Sequence, residues 1–258
     1  MTQANPQLPD SFLAVPLTHR ALHDVADGRP ENSRAAIRAA IAHGYGIEID
    51  VQLSGDGAAM VFHDYHLERL TEVQGAVQLH STAALKSINL RGGDEGIPDL
   101  PEVLELVAGR VPLLIELKDQ DGAMGPNVGA LERATATAIK GYGGDVAVMS
   151  FNPHSTALMR ELCPDIPRGL TTSAFTPKDW PFGEDVCARL REIPDYDRVG
   201  ASFISHEAAD LDRPRVAELK AQGARVCCWT IRSPEQEAEA RKVADNITFE
   251  RYLAALDA

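Results

Sequence analysis

Short apolar runs of strand length alternate with helix-like segments through most of the chain, and this alternation limits the fold more than any other feature. The runs occupy residues 15–18, 46–51, 112–117, 146–151, 168–171, 201–205, 225–230 and 246–249. Between them lie segments with helical spacing and punctuation: 33–43 before Gly44, 101–108 after Asp99, 128–140 before Gly141, then 155–162, 184–191, 213–222 and 234–244. Strands that alternate with helices pair in parallel through right-handed crossovers. Eight such units within 258 residues match a (β/α)8 TIM barrel. No Ser/Gly linker or low-complexity stretch divides the chain, so residues 1–258 read as a single domain.

One segment breaks the rhythm. After Glu48-Ile-Asp50 and Val51-Gln-Leu53 comes the turn signal Ser54-Gly55-Asp56-Gly57, followed by a second β-prone run at 59–63. A connection this short joins only antiparallel strands, because a parallel return needs a dozen or more residues. The run is therefore the returning arm of a β-hairpin that rises off the barrel mouth and brings His63 toward the level of Asp50. Residues 64–97 extend it, giving a small insertion on the rim over about 51–97.

Composition removes several function classes. The chain carries 38 acidic side chains against 25 Lys plus Arg, a net charge of -13, with no basic run. It would repel a phosphate backbone, which argues against nucleic acid as a partner. The first twenty residues lack a basic segment followed by an apolar one, and no stretch approaches the length of a membrane span. A cytoplasmic protein is expected. Cys163, Cys187, Cys227 and Cys228 have no CxxC spacing and read as buried free thiols.

Glu48 and Asp50 lie two apart on one predicted strand and so share a face. Glu116 and Lys118 repeat that geometry on the next barrel strand. Polar side chains at the carboxyl ends of barrel strands read as active-site residues. Three converging carboxylates with one lysine call for a cation, and an all-oxygen set favours Mg²⁺ or Ca²⁺. Taken singly, each carboxylate is more often a solvated strand end. His19-Arg20 ends the first strand and His63 ends the hairpin arm. A lone histidine is usually structural, but two at strand ends beside carboxylates can supply an acid and a base near neutrality. Arg20 adds a fork of donors suited to phosphate oxygens. Pro30-Glu31-Asn32-Ser33 is, by propensity, only the start of a helix.

Together, His19-Arg20, Pro30-Glu31-Asn32-Ser33, Glu48-Ile-Asp50-Val51, His63-Asp64 with Leu67-Glu-Arg69-Leu-Thr71, and Leu114-Ile-Glu116-Leu-Lys118 resemble the glycerophosphodiester phosphodiesterase family, a phosphatidylinositol-phosphodiesterase-like TIM barrel. Ser150-Phe151 and Trp229-Thr230 fall where that family's later strand motifs lie. The resemblance implies a metal held by Glu48, Asp50 and Glu116 and an acid/base pair of His19 and His63. It also implies phosphate contacts from Arg20 and Lys118, support from Glu31 and Asn32, and Trp229 lining the substrate pocket. The implied reaction is hydrolysis of a glycerophosphodiester to sn-glycerol 3-phosphate and an alcohol. The attacking oxygen is either water or the substrate's own 2-hydroxyl.

Two departures stand out. Ala21 occupies a position where the family usually carries Gly, so the backbone there is expected to differ. In the last strand Phe249 stands where the family has Asp, so distal substrate contacts are expected to differ. Residues 171–200 match no pattern and read as either a rim loop or a surface insertion. His43, His66, His80, His154 and His206 are expected to be structural, while His23 follows Arg20 closely enough to stay open. Rival readings keep the site but change the alcohol, as in a lysophospholipase D or another small alkyl phosphodiesterase. A non-catalytic phosphate-binding barrel predicts the loss of a histidine or a metal carboxylate, and none is lost here, while a metal-dependent aldolase or isomerase leaves the paired His19 and His63 without a role.

Overall fold

The computed structural model describes residues 5–256. Its strands are β1 (Leu17–Thr18), β2 (Gly46–Leu53), β3 (Ala59–Val61), β4 (Leu113–Leu117), β5 (Val146–Ser150), β6 (Arg168–Thr172), β7 (Phe203–Glu207), β8 (Arg225–Ile231) and β9 (Asn246–Phe249). All except β3 pair in parallel, in the order β1-β2-β4-β5-β6-β7-β8-β9, and β9 returns to β1 to close an eight-stranded barrel. This is the expected (β/α)8 fold.

The described residues form the α-helices α1 (Ser11–Ala14), α2 (Arg34–His43), α3 (Thr82–Ser87), α4 (Leu100–Val107), α5 (Ala130–Ile139), α6 (Pro153–Leu162), α7 (Glu184–Arg191), α8 (Pro214–Ala221) and α9 (Pro234–Ala240), with short 3-10 turns at Val25–Asp27, Val77–Leu79 and Ala208–Asp210. Their ends obey local chemistry. Ser33 caps α2 by accepting from the Ala36 N–H, and Gly44 closes it with φ +78°. Asp99 and Glu102 form a reciprocal capping box at the start of α4. Helices α1 and α3 were not expected, because four and six residues are too few to show helical periodicity.

Alternation along the strands separates two cores. Ile47, Ile49 and Val51 of β2, with Leu113, Ile115 and Leu117 of β4, point outward and pack against Ile37 of α2 and Val103 of α4. The inward positions begin apolar: Leu17, Leu114, Ala147, Met149, Phe203 and Cys227 fill the barrel floor, joined by Phe12 from α1. Asn246 ties this plug down, its side-chain amide donating to the carbonyls of Phe12 (2.6 Å) and Val15 (2.7 Å). Higher up, the inward positions turn polar.

The hairpin forms as expected. Its antiparallel register pairs Val51 with Val61 and Leu53 with Ala59, and the turn closes where the Ser54 N–H donates to the Ala58 carbonyl. The rest of the excursion builds a small core of its own from Met60, Phe62, Leu67, Val77, Leu85, Leu90 and Ile97. Residues 171–200 include α7 and a rim loop, in which Phe175, Cys187 and Leu190 are buried together and Trp180 and Phe182 pack against them. All four cysteines are free; Cys163 is only partly buried, contrary to expectation, because it ends α6 at the surface.

Gly169 shows how tightly the barrel interior is filled. A Cβ there would lie 2.4 Å from the buried ring of Phe203. Overpacking of a closed core costs about 1–3 kcal/mol. Gly169→Ala is expected to lower the thermal midpoint by roughly 2–4 °C per kcal/mol lost, read by calorimetry. An unchanged midpoint would show that the interior has slack.

Candidate active site

The polar inward positions of β2 and β4 meet at the carboxyl end of the barrel. Glu48 and Asp50 are 2% and 1% exposed and Glu116 is 5% exposed, and each offers an oxygen within 4.8 Å of the others. Lys118, just past β4, donates to Asp50 Oδ1 (2.7 Å) and Glu116 Oε1 (2.5 Å). Arg20 approaches from β1: its backbone N–H donates to Glu48 Oε2 (2.9 Å), its Nε lies 3.6 Å from Asp50, and Nη1 donates to Glu31 (2.7 Å). Asn32 donates from Nδ2 to Asp50 Oδ2 (2.9 Å). Glu31 and Asn32 therefore do more than begin a helix.

Three carboxylates here face two cationic side chains, one of which is shared with Glu31. Burial, reinforced by Asp50 and Glu116, pushes the Glu48 carboxyl well above its ordinary range. Burial acts the same way on Asp50, but Lys118, His63 and Arg20 overcome it and hold Asp50 below the carboxylate range. Burial would lower Lys118, yet Asp50 and Glu116 raise it, so it remains an ammonium. Such uncompensated crowding among oxygen donors fits a hard divalent cation held by Glu48, Asp50 and Glu116.

The two histidines are each engaged at Nδ1. His63 lies 2.6 Å from Asp64 Oδ1, and Arg69 grips Asp64 and Glu31 with bidentate pairs. Gln52, the next inward residue after Asp50, donates to the His63 carbonyl (3.1 Å) and so fixes the hairpin arm. His19 lies 2.7 Å from Glu250 Oε2. Burial outweighs that carboxylate and lowers His19 to about 4. His23 joins this pair, its Nε2 3.4 Å from the same oxygen. Trp229 anchors its indole N–H on the Ser205 carbonyl (3.0 Å) and packs edge-on against Phe151.

His63, Asp64, Tyr65, Glu116, Lys118, Phe151 and Trp180 line one cleft of about 510 Å³, polar on one side and aromatic on the other. His66 also lines this cleft, whereas His43, His80, His154 and His206 do not. His206 is fully buried between Thr172 Oγ1 and Asp210, so it sits in a hydrogen-bonded set that its sequence surroundings did not reveal.

Ala21 corrects one expectation. It keeps a left-handed backbone, φ +63°, despite its side chain. That conformation costs an alanine about 1–2 kcal/mol. Burial of its methyl in the core and the bond from its N–H to the Glu48 carbonyl (3.0 Å) offset the strain.

Sequence comparison decides the family. The model of the Glycerophosphoryl diester phosphodiesterase family matches residues 19–247. The chain belongs to that family. A glycerophosphodiester phosphodiesterase of Caldanaerobacter subterraneus is 32% identical over 161 residues, covering 58% of this chain and 65% of the relative. Another from Bacillus subtilis is 26% identical over 216 residues, covering 77% of this chain and 70% of the relative. The fold agrees: an Oleispira antarctica phosphodiesterase, solved with the product sn-glycerol-3-phosphate, superposes with a TM-score of 0.75 at 25% identity, covering 93% of this chain and 94% of that one. The family match runs from His19 and includes every carboxylate of the crowded triad; Glu250 lies beyond its end.

Crowding predicts a thermal signature. Mg²⁺ or Ca²⁺ at about 100 times its dissociation constant should stabilise the protein by about 2.7 kcal/mol. Glu48→Gln should abolish that gain while leaving the metal-free protein at least as stable as before. A Glu48→Gln protein that keeps the full metal-induced rise would place the ion elsewhere.

Proposed function

We propose that this chain acts as a single-domain, metal-dependent phosphodiesterase that hydrolyses glycerophosphodiesters to sn-glycerol 3-phosphate and an alcohol. The observation that carries this reading is the buried triad of Glu48, Asp50 and Glu116, whose Glu116 lines a cleft together with Lys118 and His63 on a family fold. The product bound to the Oleispira antarctica neighbour supports the same substrate class.

A divalent cation held by the triad would supply charge to polarise a phosphoryl oxygen. Arg20 and Lys118 present N–H donors to the remaining oxygens, where negative charge grows as the new P–O bond forms. Freed of its proton by burial, His19 is neutral at pH 7 and takes the proton of the attacking hydroxyl. His63, held by Asp64, returns a proton to the departing alkoxide as its P–O bond breaks. Water or the substrate's 2-hydroxyl can use the same pair. Free, mostly buried thiols fit a reducing, cytoplasmic setting, and among the described residues no helix is long and apolar enough to cross a membrane.

A second reading, hydrolysis of lysophospholipids, is favoured by the aromatic wall: Phe151 packs on Trp180 (4.8 Å) and Trp229 (5.6 Å) beside the cleft. The test for both is release of glycerol 3-phosphate from a panel of water-soluble glycerophosphodiesters, and of acylglycerol 3-phosphate from one lysophospholipid, with and without EDTA. Turnover that EDTA abolishes and His63→Ala lowers by about 10²–10⁴-fold is expected. Release that survives EDTA, or none from any diester, would contradict the reading.

The state of His19 also sets a pH dependence. A base with a lowered pKa is active when deprotonated and loses activity as pH falls through that value. At saturating metal, the acid limb of kcat/KM should lie nearer 4 than the ordinary 6.5. A limb at 6.5 would assign it to an unperturbed imidazole.

A further inference from the structure

Glu250 has no place in the reaction described so far, yet it is the group most firmly attached to one of its histidines. It follows β9, as His19 follows β1, and those strands are neighbours in the closed barrel with Thr18 opposite Phe249. The His19 N–H donates to the Phe249 carbonyl (2.8 Å), which sets the two side chains side by side. Glu250 is 8% exposed; Oε2 meets His19 Nδ1 at 2.7 Å, and Oε1 accepts from Arg232 Nε at 2.7 Å. His23 Nε2 and Arg251 Nε lie 3.4 Å from the same carboxylate.

We infer that Glu250 is a positioning residue for His19, fixing its ring and its tautomer so that Nε2 is the nitrogen turned to the reacting oxygen. The inference rests on the reading of His19 as the base. An ionised carboxylate only accepts hydrogen bonds, so Nδ1 must carry the proton and Nε2 the lone pair. Burial opposes ionisation of Glu250, but His19, His23 and Arg232 hold it below the ordinary carboxylate range. When the nucleophile's proton moves to Nε2 and its oxygen bonds to phosphorus, His19 becomes an imidazolium that keeps its Nδ1–H. Glu250 remains ionised and stabilises that cation, as carboxylates do behind catalytic histidines elsewhere. Arg232 stops Glu250 from following the ring.

Two measurements test this. The first is ¹⁵N–¹H correlation of the histidine rings in the wild-type protein at pH 7, with His19 assigned through a His19→Gln sample. The proton is expected on Nδ1; a proton on Nε2 overturns the inference, whatever the enzyme turns over. The second is steady-state kinetics of Glu250→Gln, checked for folding by its thermal midpoint. Its kcat should fall by about 10²–10⁴-fold with KM little changed, and His19 should lose its single tautomer. A folded variant with kcat within about threefold of wild type, or with a loss confined to KM, overturns the inference. Absence of wild-type turnover on every glycerophosphodiester would instead refute the functional reading, leaving the ring spectra to decide the role of Glu250.

Discussion

Three carboxylates buried within reach of one another are the constraint on which the rest of this structure depends. Glu48, Asp50 and Glu116 occupy inward positions of adjacent strands, where a barrel would otherwise place aliphatic filler. Lys118 and Arg20 neutralise part of the charge, and burial penalises what is left. The apolar floor below, sealed by Phe12 and Leu17, supplies the stability that such a polar mouth removes. The same low-dielectric setting strengthens any interaction with a phosphoryl group that enters.

Around that centre, the side chains form a tethered ring rather than a set of independent contacts. Asp64 holds His63, Arg69 holds Asp64 and Glu31, Glu31 holds Arg20, and Arg20 reaches Asp50. This chain joins the hairpin excursion to the first and second barrel strands. The Arg69 pairs are partly exposed, and pairs of that kind contribute about 0–1 kcal/mol each. Their effect lies in geometry: they limit where His63 and Arg20 can point. Phe151 and Trp180 give the cleft an aromatic lining, and Trp229 packs edge-on against Phe151 behind it.

Most of the fold and half of the site could be read from the sequence because both follow short-range rules. The period of two put Glu48 with Asp50 and Glu116 with Lys118, and the Ser54–Gly57 turn returned His63 to their level. Contacts made by barrel closure could not be read in this way. Glu250 and His19 are separated by 231 residues and meet only because β9 pairs with β1. Gln52 was within reach, since it continues the inward series of Glu48 and Asp50. Arg69 lies five residues from Asp64 within one motif, but its other partner, Glu31, sits on a separate segment that only the folded excursion brings to it. Ala21 keeps its left-handed backbone through tertiary contacts, which no local propensity could foretell.

The central claim is that the carboxylate crowd exists to hold one hard cation. Diffraction from crystals soaked in Mn²⁺, with the ion located by its anomalous signal, tests it most directly. The account predicts one strong peak at about 2.0–2.6 Å from an oxygen of each of Glu48, Asp50 and Glu116. Full occupancy at another site, with the triad still bridged only by Lys118, would contradict it.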